Sequence, residues 1–194
     1  ASIRVSLPTT ETQQILGPAL QTYHLKIDEL LLTALVLTLN AWTGQPFCQI
    51  DLESHGREEL FADVDLSRTV GWFTSLYPVR FDLLGLSDPG QQIQNVKNQL
   101  RKVPSGGIGF GLLRYMVKNA AVEPLRQMTP GQISFNYLGR LDTSPQMNKM
   151  FEFSGSGPVP DHSPNAPRRY LIDVTGHVLE GKFHFEWYYS KNRH

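Results

Sequence analysis

The sequence predicts an α/β fold: a mixed β-sheet with helices packed on one side. Three observations carry this. Short segments such as SIRVSL and KFHFEWYYS alternate apolar and polar residues, the period of a strand with one buried face. Two longer segments repeat their apolar residues at helical spacing. Both kinds of segment occur together along one chain of 194 residues, a length that suits one ordinary domain or two small ones.

Taken in order, Ile3, Val5 and Leu7 alternate in the opening strand. PTTETQQILGPAL then offers Thr9 or Thr10 as an N-cap with Glu11 in the first turn, while Gly17-Pro18 argues against a helical second half. A helix over Ile27–Thr43 follows, stopped by Gly44 and Pro46. Its run LLLTALVLTLNAW is apolar on most of its circumference but broken by Thr33, Thr38 and Asn40, and Asp28 and Glu29 precede it. It falls short of the about 18–20 apolar residues that span a bilayer, so it reads as a core helix. A strand over Phe47–Leu52 leads into the polar stretch DLESHGREEL. SRTVGWFTSLYPVRFDL is strand-like in its second half. In DPGQQIQNVKNQLRKV, Ile93, Val96, Leu100 and Val103 share a helix face. PSGGIGFG reads as a glycine-rich turn, LLRYMVKN as a short helix and QISFNYLG as a strand. Residues Ser154–Pro167 are rich in Pro, Gly and Ser, a loop of the length that is often functional or mobile. Two last strands, RRYLIDVTGHV and EGKFHFEWYYS, pair through a turn near Glu180-Gly181, with Phe183, Phe185 and Trp187 on one face and His184 and Glu186 on the other.

Composition removes several function classes. Lys plus Arg and Asp plus Glu stand at 18 each, so there is no basic excess of the kind a nucleic-acid or anionic-membrane partner favours. The single cysteine, Cys48, rules out an internal disulfide and a multi-cysteine zinc site, and fits a cytoplasmic setting. None of the six histidines lies at His-Glu-x-x-His spacing, so no metal is expected. There is no Gly-x-Ser-x-Gly elbow. GGIGFG lacks the Lys-Ser/Thr of a phosphate loop and follows a helix rather than a strand, which favours a structural turn.

What remains is DLESHGREEL, with four acids, one histidine and one arginine around Gly56, and the nearby SRTVGWFT. A solvated loop is the ordinary reading of such a charge cluster. Its position at the C-terminal end of a strand, where side chains project into a crevice, is the reason to weigh chemistry beside it.

Those segments carry a resemblance. ESHGRE (Glu53–Glu58), SRTVGWFTSLYPV eight residues later, LRKVPSGGIGFGLLRY, ISFNYLGRLD and a closing EWYYSKN together resemble the epimerization domains of nonribosomal peptide synthetases, members of the condensation-domain superfamily. The resemblance spans essentially the whole chain and is weakest in the Pro-rich stretch. The wording WFTSLYP and FNYLG favours epimerization over condensation. It implies a fold of two chloramphenicol-acetyltransferase-like halves forming a V with a tunnel between them. The N-terminal half of such domains carries His-His-x-x-x-Asp-Gly; nothing like it occurs here, so residues 1–194 resemble the C-terminal half, an incomplete site when alone.

The implied reaction inverts Cα of an aminoacyl or peptidyl thioester carried on the phosphopantetheine arm of a peptidyl carrier protein. No cofactor is bound directly by the domain. Inversion requires proton removal on one face, delivery on the other, and stabilisation of the enolate-like charge between. The resemblance makes Glu53 one acid/base group. Burial would raise its pKa and a neighbouring arginine, Arg57 or Arg68, would lower it; burial is expected to prevail. Arg68 would orient Glu53 or stabilise negative charge, the alternative being an ion pair with Asp65. Asn136 and Tyr137 line the tunnel, Tyr137 as a donor or as a core aromatic. His55 holds the loop by hydrogen bonding, and Trp72 and Phe73 wall the tunnel or pack beneath it, Phe73 more in the core. Ser54 stands where the family commonly has glycine, which is tolerable at negative φ. The Pro-rich stretch reaches toward the N-terminal half and is expected to be mobile without it. The partners implied are the carrier protein and the N-terminal subdomain, with self-association through the exposed half-interface. Two other readings stay open: half of a peptide-bond-forming condensation domain, or a non-catalytic carrier-docking subdomain.

Overall fold

The structure, a computed structural model, describes residues 1–141 and 166–193. Of the Pro-rich stretch expected to be mobile, residues 154–165 lie outside the described residues.

Six strands form one mixed sheet: β1 (Ser2–Ser6), β2 (Phe47–Ser54), β3 (Ser75–Asp82), β4 (Ile133–Arg140), β5 (Ile172–Leu179) and β6 (Lys182–Tyr189). Their spatial order is β1-β6-β5-β4-β2-β3. β4 runs parallel to both β2 and β5, and the other neighbours are antiparallel. Period-2 alternation sorts the sheet into two faces. One carries Ile50, Leu52, Tyr77, Val79, Phe81, Phe135, Val174, Val178 and Phe183, all buried. Against it pack Leu31, Leu32, Leu35, Val36 and Leu39 of α3 (Ile27–Thr43) and Val96 of α4 (Pro89–Arg101). The opposite face carries the polar partners of each strand, among them Glu53, Asn136 and Glu186. The β5–β6 turn has Glu180 at φ 51° and Gly181 at φ 69°, the paired left-handed residues of a two-residue hairpin turn.

The first helix departs from expectation. Neither Thr9 nor Thr10 is the N-cap: α1 (Thr9–Gln14) starts after Pro8 and has no side-chain cap bond. Nor does Gly17-Pro18 end the helical path. A π-helical turn, Ile15–Ala19, accommodates Pro18, and α2 (Leu20–Tyr23) continues to His24 at φ 51°. Proline lacks the N–H of the α-helical ladder and clashes with the carbonyl four residues back, and a widened turn relieves both.

Glu29 and Arg101 clamp α3 to α4. The Glu29 side chain is 2% exposed; it accepts from the Lys26 backbone N–H at 2.7 Å and from Arg101, whose Nη2–Oε2 distance is 3.0 Å. Burial pushes the Glu29 carboxyl up, but the Arg101 guanidinium, the Lys26 amide and Lys97 together hold it below the ordinary carboxylate range. Arg101→Ala should destabilise the fold, because it leaves the buried Glu29 carboxylate without its charged partner, an effect moderated by the half-exposed setting of the Arg101 side chain. A lowered carboxyl pKa contributes stability that is present above the ordinary value of 4.5 and lost as pH falls through the folded value. Urea midpoints of wild type and Arg101→Ala should therefore differ at pH 7 and converge on acidification; a constant gap would refute the pair as its source.

Candidate active site

β2 continues two residues beyond Leu52, which places Glu53 on the strand's last turn of pleat rather than in a loop. Leu52 is in register with Phe135 of the parallel neighbour β4, so Glu53, at the C-terminal end of β2, stands beside Asn136 in the middle of β4. Crevices at such ends are where α/β sheets place ligands. Asn136 Nδ2 donates to Glu53 Oε2 at 2.7 Å. The N-terminus of α3 closes the other side. Between them lies a cavity of about 450 Å³ lined by Asp28, Glu53, Ser54, His55, Thr74, Tyr77, Asn136 and Tyr137 above apolar Ile27, Leu32, Leu52, Leu100, Phe135 and Leu138.

Burial against this wall raises the Glu53 pKa, and the charge of Asp173 raises it further. Asp173, on β5, is itself fixed by the Ser134 hydroxyl at 2.7 Å and by Arg168. Desolvation thus prevails, as expected, and no arginine opposes it. The Arg57 guanidinium stacks on the Phe73 ring, 4.4 Å from its centroid, and donates to the carbonyls of Leu66 and Gly71. It staples the 55–74 connection. Arg68 lies exposed on that connection, with no hydrogen bond or ion pair to a described residue; Asp65 accepts instead from the Ser67 amide at 2.8 Å. Neither arginine pairs with Glu53, because the connection carries both outward from the strand end.

His55 behaves as the loop reading requires: its Nδ1 accepts the Arg57 backbone N–H at 2.9 Å, and Nε2 lies 3.7 Å from Glu58 Oε1. Ser54 has no positive φ, so serine is unstrained there; Gly56, at φ +65°, is the residue that needs to be glycine. Trp72 is 90% exposed and does not wall the cavity, and Phe73 packs with Arg57 and Gly71 rather than in the main core. Tyr137 satisfies both of its readings. Its ring lies 6.2 Å from that of Phe183 in the core, yet the residue lines the cavity. Burial raises its pKa, keeping the phenol protonated as a donor. The glycine-rich segment is a turn with Ser105, Gly106 and Gly107 all at positive φ, and a Cβ on Gly107 would stand 2.1 Å from the Tyr77 ring.

Among the cavity residues that the sequence reading did not assign to a site are Asp28 and Tyr77. Asp28 was visible only as a charge ahead of an apolar helix, and Tyr77 as one aromatic among several in WFTSLYPV. The period-2 pattern that puts Tyr77 on the face of Val79 and Phe81 was the available signal for the second. Burial pushes the Tyr77 phenol up to about 12.

The six-stranded mixed sheet, with its parallel pairs around β4, is a chloramphenicol-acetyltransferase-like fold, shared with the condensation and epimerization domains it superposes on. The chain belongs to the Condensation domain family, whose model matches residues 1–194. It is 39% identical over 194 residues to the chondramide synthase cmdD of Chondromyces crocatus, covering 100% of this chain and 5% of that protein. Bacitracin synthase 2 of Bacillus licheniformis is 45% identical over 141 residues, 73% of this chain and 5% of that one. The chain thus spans a few per cent of these relatives' length. Among solved structures, the epimerization domain from the third module of tyrocidine synthetase B superposes with a TM-score of 0.88 at 34% identity, over 98% of this chain and 42% of that one. The first condensation domain of the CDA synthetase shares the fold at a TM-score of 0.64 and 13% identity, over 100% of this chain and 40% of that one.

Proposed function

We propose that this chain forms one wall of an epimerization site that inverts Cα from L to D in an aminoacyl or peptidyl thioester on a phosphopantetheinyl carrier protein. The observation that carries the reading is the Glu53–Asn136 pair at the mouth of the cavity. The 34% identity to an epimerization domain supports it, as does coverage of 42% of that chain, which leaves room for an opposing subdomain. Glu53 exchanges a proton with one face of Cα. Its raised pKa brings a carboxyl, ordinarily far too acidic, closer to the working pH of a proton shuttle. Tyr137, held protonated, donates to the oxygen on which charge develops. The second acid/base group comes from the opposing wall, so residues 1–194 alone do not turn over. Arg68 takes no step in this scheme.

Asn136 donates to the ionised carboxylate and so favours it. Asn136→Ala removes that donor, leaving burial and Asp173 unopposed, and should move the acidic limb of the exchange–pH profile to higher pH. An unmoved limb would separate Asn136 from the titration.

The function itself is tested by α-deuterium incorporation into an L-aminoacyl carrier protein in deuterated buffer, comparing the complete two-subdomain enzyme with residues 1–194. Exchange by the complete enzyme only is expected. Exchange by the isolated chain would overturn the two-wall account. A second reading, peptide-bond formation, is favoured by the family match; longer product of unchanged stereochemistry, without exchange, would establish it.

A further inference from the structure

The lining of the cavity is one-sided in charge. It holds two carboxylates, Asp28 and Glu53, and, among the described residues, no lysine or arginine. Of the cations nearby in the fold, Arg140 lies close enough for its charge to act on Tyr137 without lining the cavity, and three others are engaged elsewhere. Arg101 is bound to Glu29, Lys97 Nζ donates to the Tyr23 carbonyl at 3.0 Å, and Arg57 is stapled into its own connection. Lys26 stands close enough for its charge to act on Asp28 but does not line the cavity. His55 has its Nδ1 occupied by the Arg57 amide.

Glu53 has a side-chain partner in Asn136, whereas the Asp28 carboxylate is held by the backbone N–H groups of Glu29 and of Asp28 itself, which leaves its interaction with side chains to an incoming ligand. Asp28 sits in the first turn of α3, whose N-terminus favours its ionised form, while burial opposes ionisation. Its charge reaches the hydroxyls of both Tyr77 and Tyr137, so the three side chains share one electrostatic environment. The remaining walls are the rings of Tyr77, Phe135 and Tyr137 and the leucines around them. Aromatic faces attract cations, and a half-buried carboxylate gains most from a cation that enters with the ligand.

We propose that Asp28 is a specificity-determining residue that selects substrates bearing an ammonium group, by pairing with it inside the Glu53–Asn136 cavity. Two sources supply that group in carrier-bound substrates: the free α-amine of an aminoacyl thioester, which an upstream acyl cap or peptide would remove, or a basic side chain. The inference rests on the epimerization reading for the placing of the substrate, but binding tests it without turnover.

The probes are four stable pantetheine amides: norleucyl, with an α-ammonium only; N-acetyl-lysyl, with a side-chain ammonium only; lysyl, with both; and N-acetyl-norleucyl, with neither. Calorimetry on the complete enzyme should show at least one of the singly charged probes binding about tenfold more tightly than the neutral one, and which of them does so identifies the source. Asp28→Asn, nearly isosteric, should reduce that ratio to about threefold or less, and Asp28→Glu should retain it. The inference is overturned if the neutral probe binds as tightly as both charged ones, or if the ratio survives Asp28→Asn undiminished. A charge preference lost in Asp28→Asn, in an enzyme that exchanges no α-proton, supports the inference while sinking the epimerization reading.

Discussion

Glu53→Gln is expected to lower α-proton exchange by the complete enzyme about 10²–10⁴-fold, the range a positioned acid/base group supplies. Glutamine keeps the shape of the side chain and an oxygen for Asn136 Nδ2, now 2.7 Å from the carboxylate, so the hydrogen-bonded geometry survives while the proton shuttle is lost. Stability separates this loss from unfolding. A carboxyl whose folded pKa is raised contributes stability that is complete below the ordinary value of 4.5 and lost as pH rises through the folded value. Above that folded value the ionised Glu53 is therefore a burden on the fold, and an uncharged amide leaves the melting temperature level or slightly higher. Mass-spectrometric deuterium incorporation alongside a thermal melt gives both readouts. Exchange within about tenfold of wild type would remove Glu53 from the chemistry.

Much of the fold was legible because local and tertiary preferences agree. Residues Ile27–Thr43 combine a buried apolar face with Gly44 at φ +67°, so periodicity and stop signal name the same boundary. Asp88 caps α4 through the Gln91 amide at 2.8 Å, as its Asp-Pro-Gly opening suggests. The failures have a common form. Pro18 reads locally as a helix breaker, yet the chain absorbs it in a π turn whose Ile15 and Leu16 pack against the core. Glu29 was visible only as an acid ahead of an apolar run, yet it is buried because Arg101, 72 residues away, arrives to pair with it.

The site divides along the same line. Glu53, Asn136 and Tyr137 were found through their motifs, and the register of β2 with β4 explains why segments 83 residues apart meet. Arg68 and Trp72 were assigned from the resemblance; both lie exposed on a connection of irregular backbone, with no period from which their direction could be read in the sequence. Asp28 needed the opposite inference: nothing in HLKIDELL says that the first turn of a helix will face the end of β2. That juxtaposition is purely tertiary, and only the assembled sheet reveals it.

The connection itself yields the largest expected structural effect, from Gly56→Ala. β2 leaves the sheet at Ser54, paired with Ser75, and the backbone of residue 56 passes against the backbone of Phe73, two residues before the returning strand begins. A Cβ on Gly56 would fall 1.6 Å from the Phe73 carbonyl oxygen and 2.6 Å from its carbon. Both are backbone atoms, so no side-chain rotation relieves the overlap. Residue 56 also has φ +65°, which costs an L-residue about 1–2 kcal/mol before any contact is counted. Overpacking adds about 1–3 kcal/mol, for a total of about 2–5 kcal/mol. The 55–74 segment escapes the overlap by peeling from β2, which breaks the Arg57–Phe73 stack and the His55–Arg57 bond and loosens the strand end that aims Glu53. The urea midpoint should fall, amide exchange should accelerate across residues 55–74, and turnover should fall with them. Gly17→Ala is the control: no atom lies within 4 Å of its Cβ, so that variant should stay within about 0.5 kcal/mol of wild type or gain slightly. Equal stability of the two variants would show that Gly56 is not the pinch point between β2 and the returning chain.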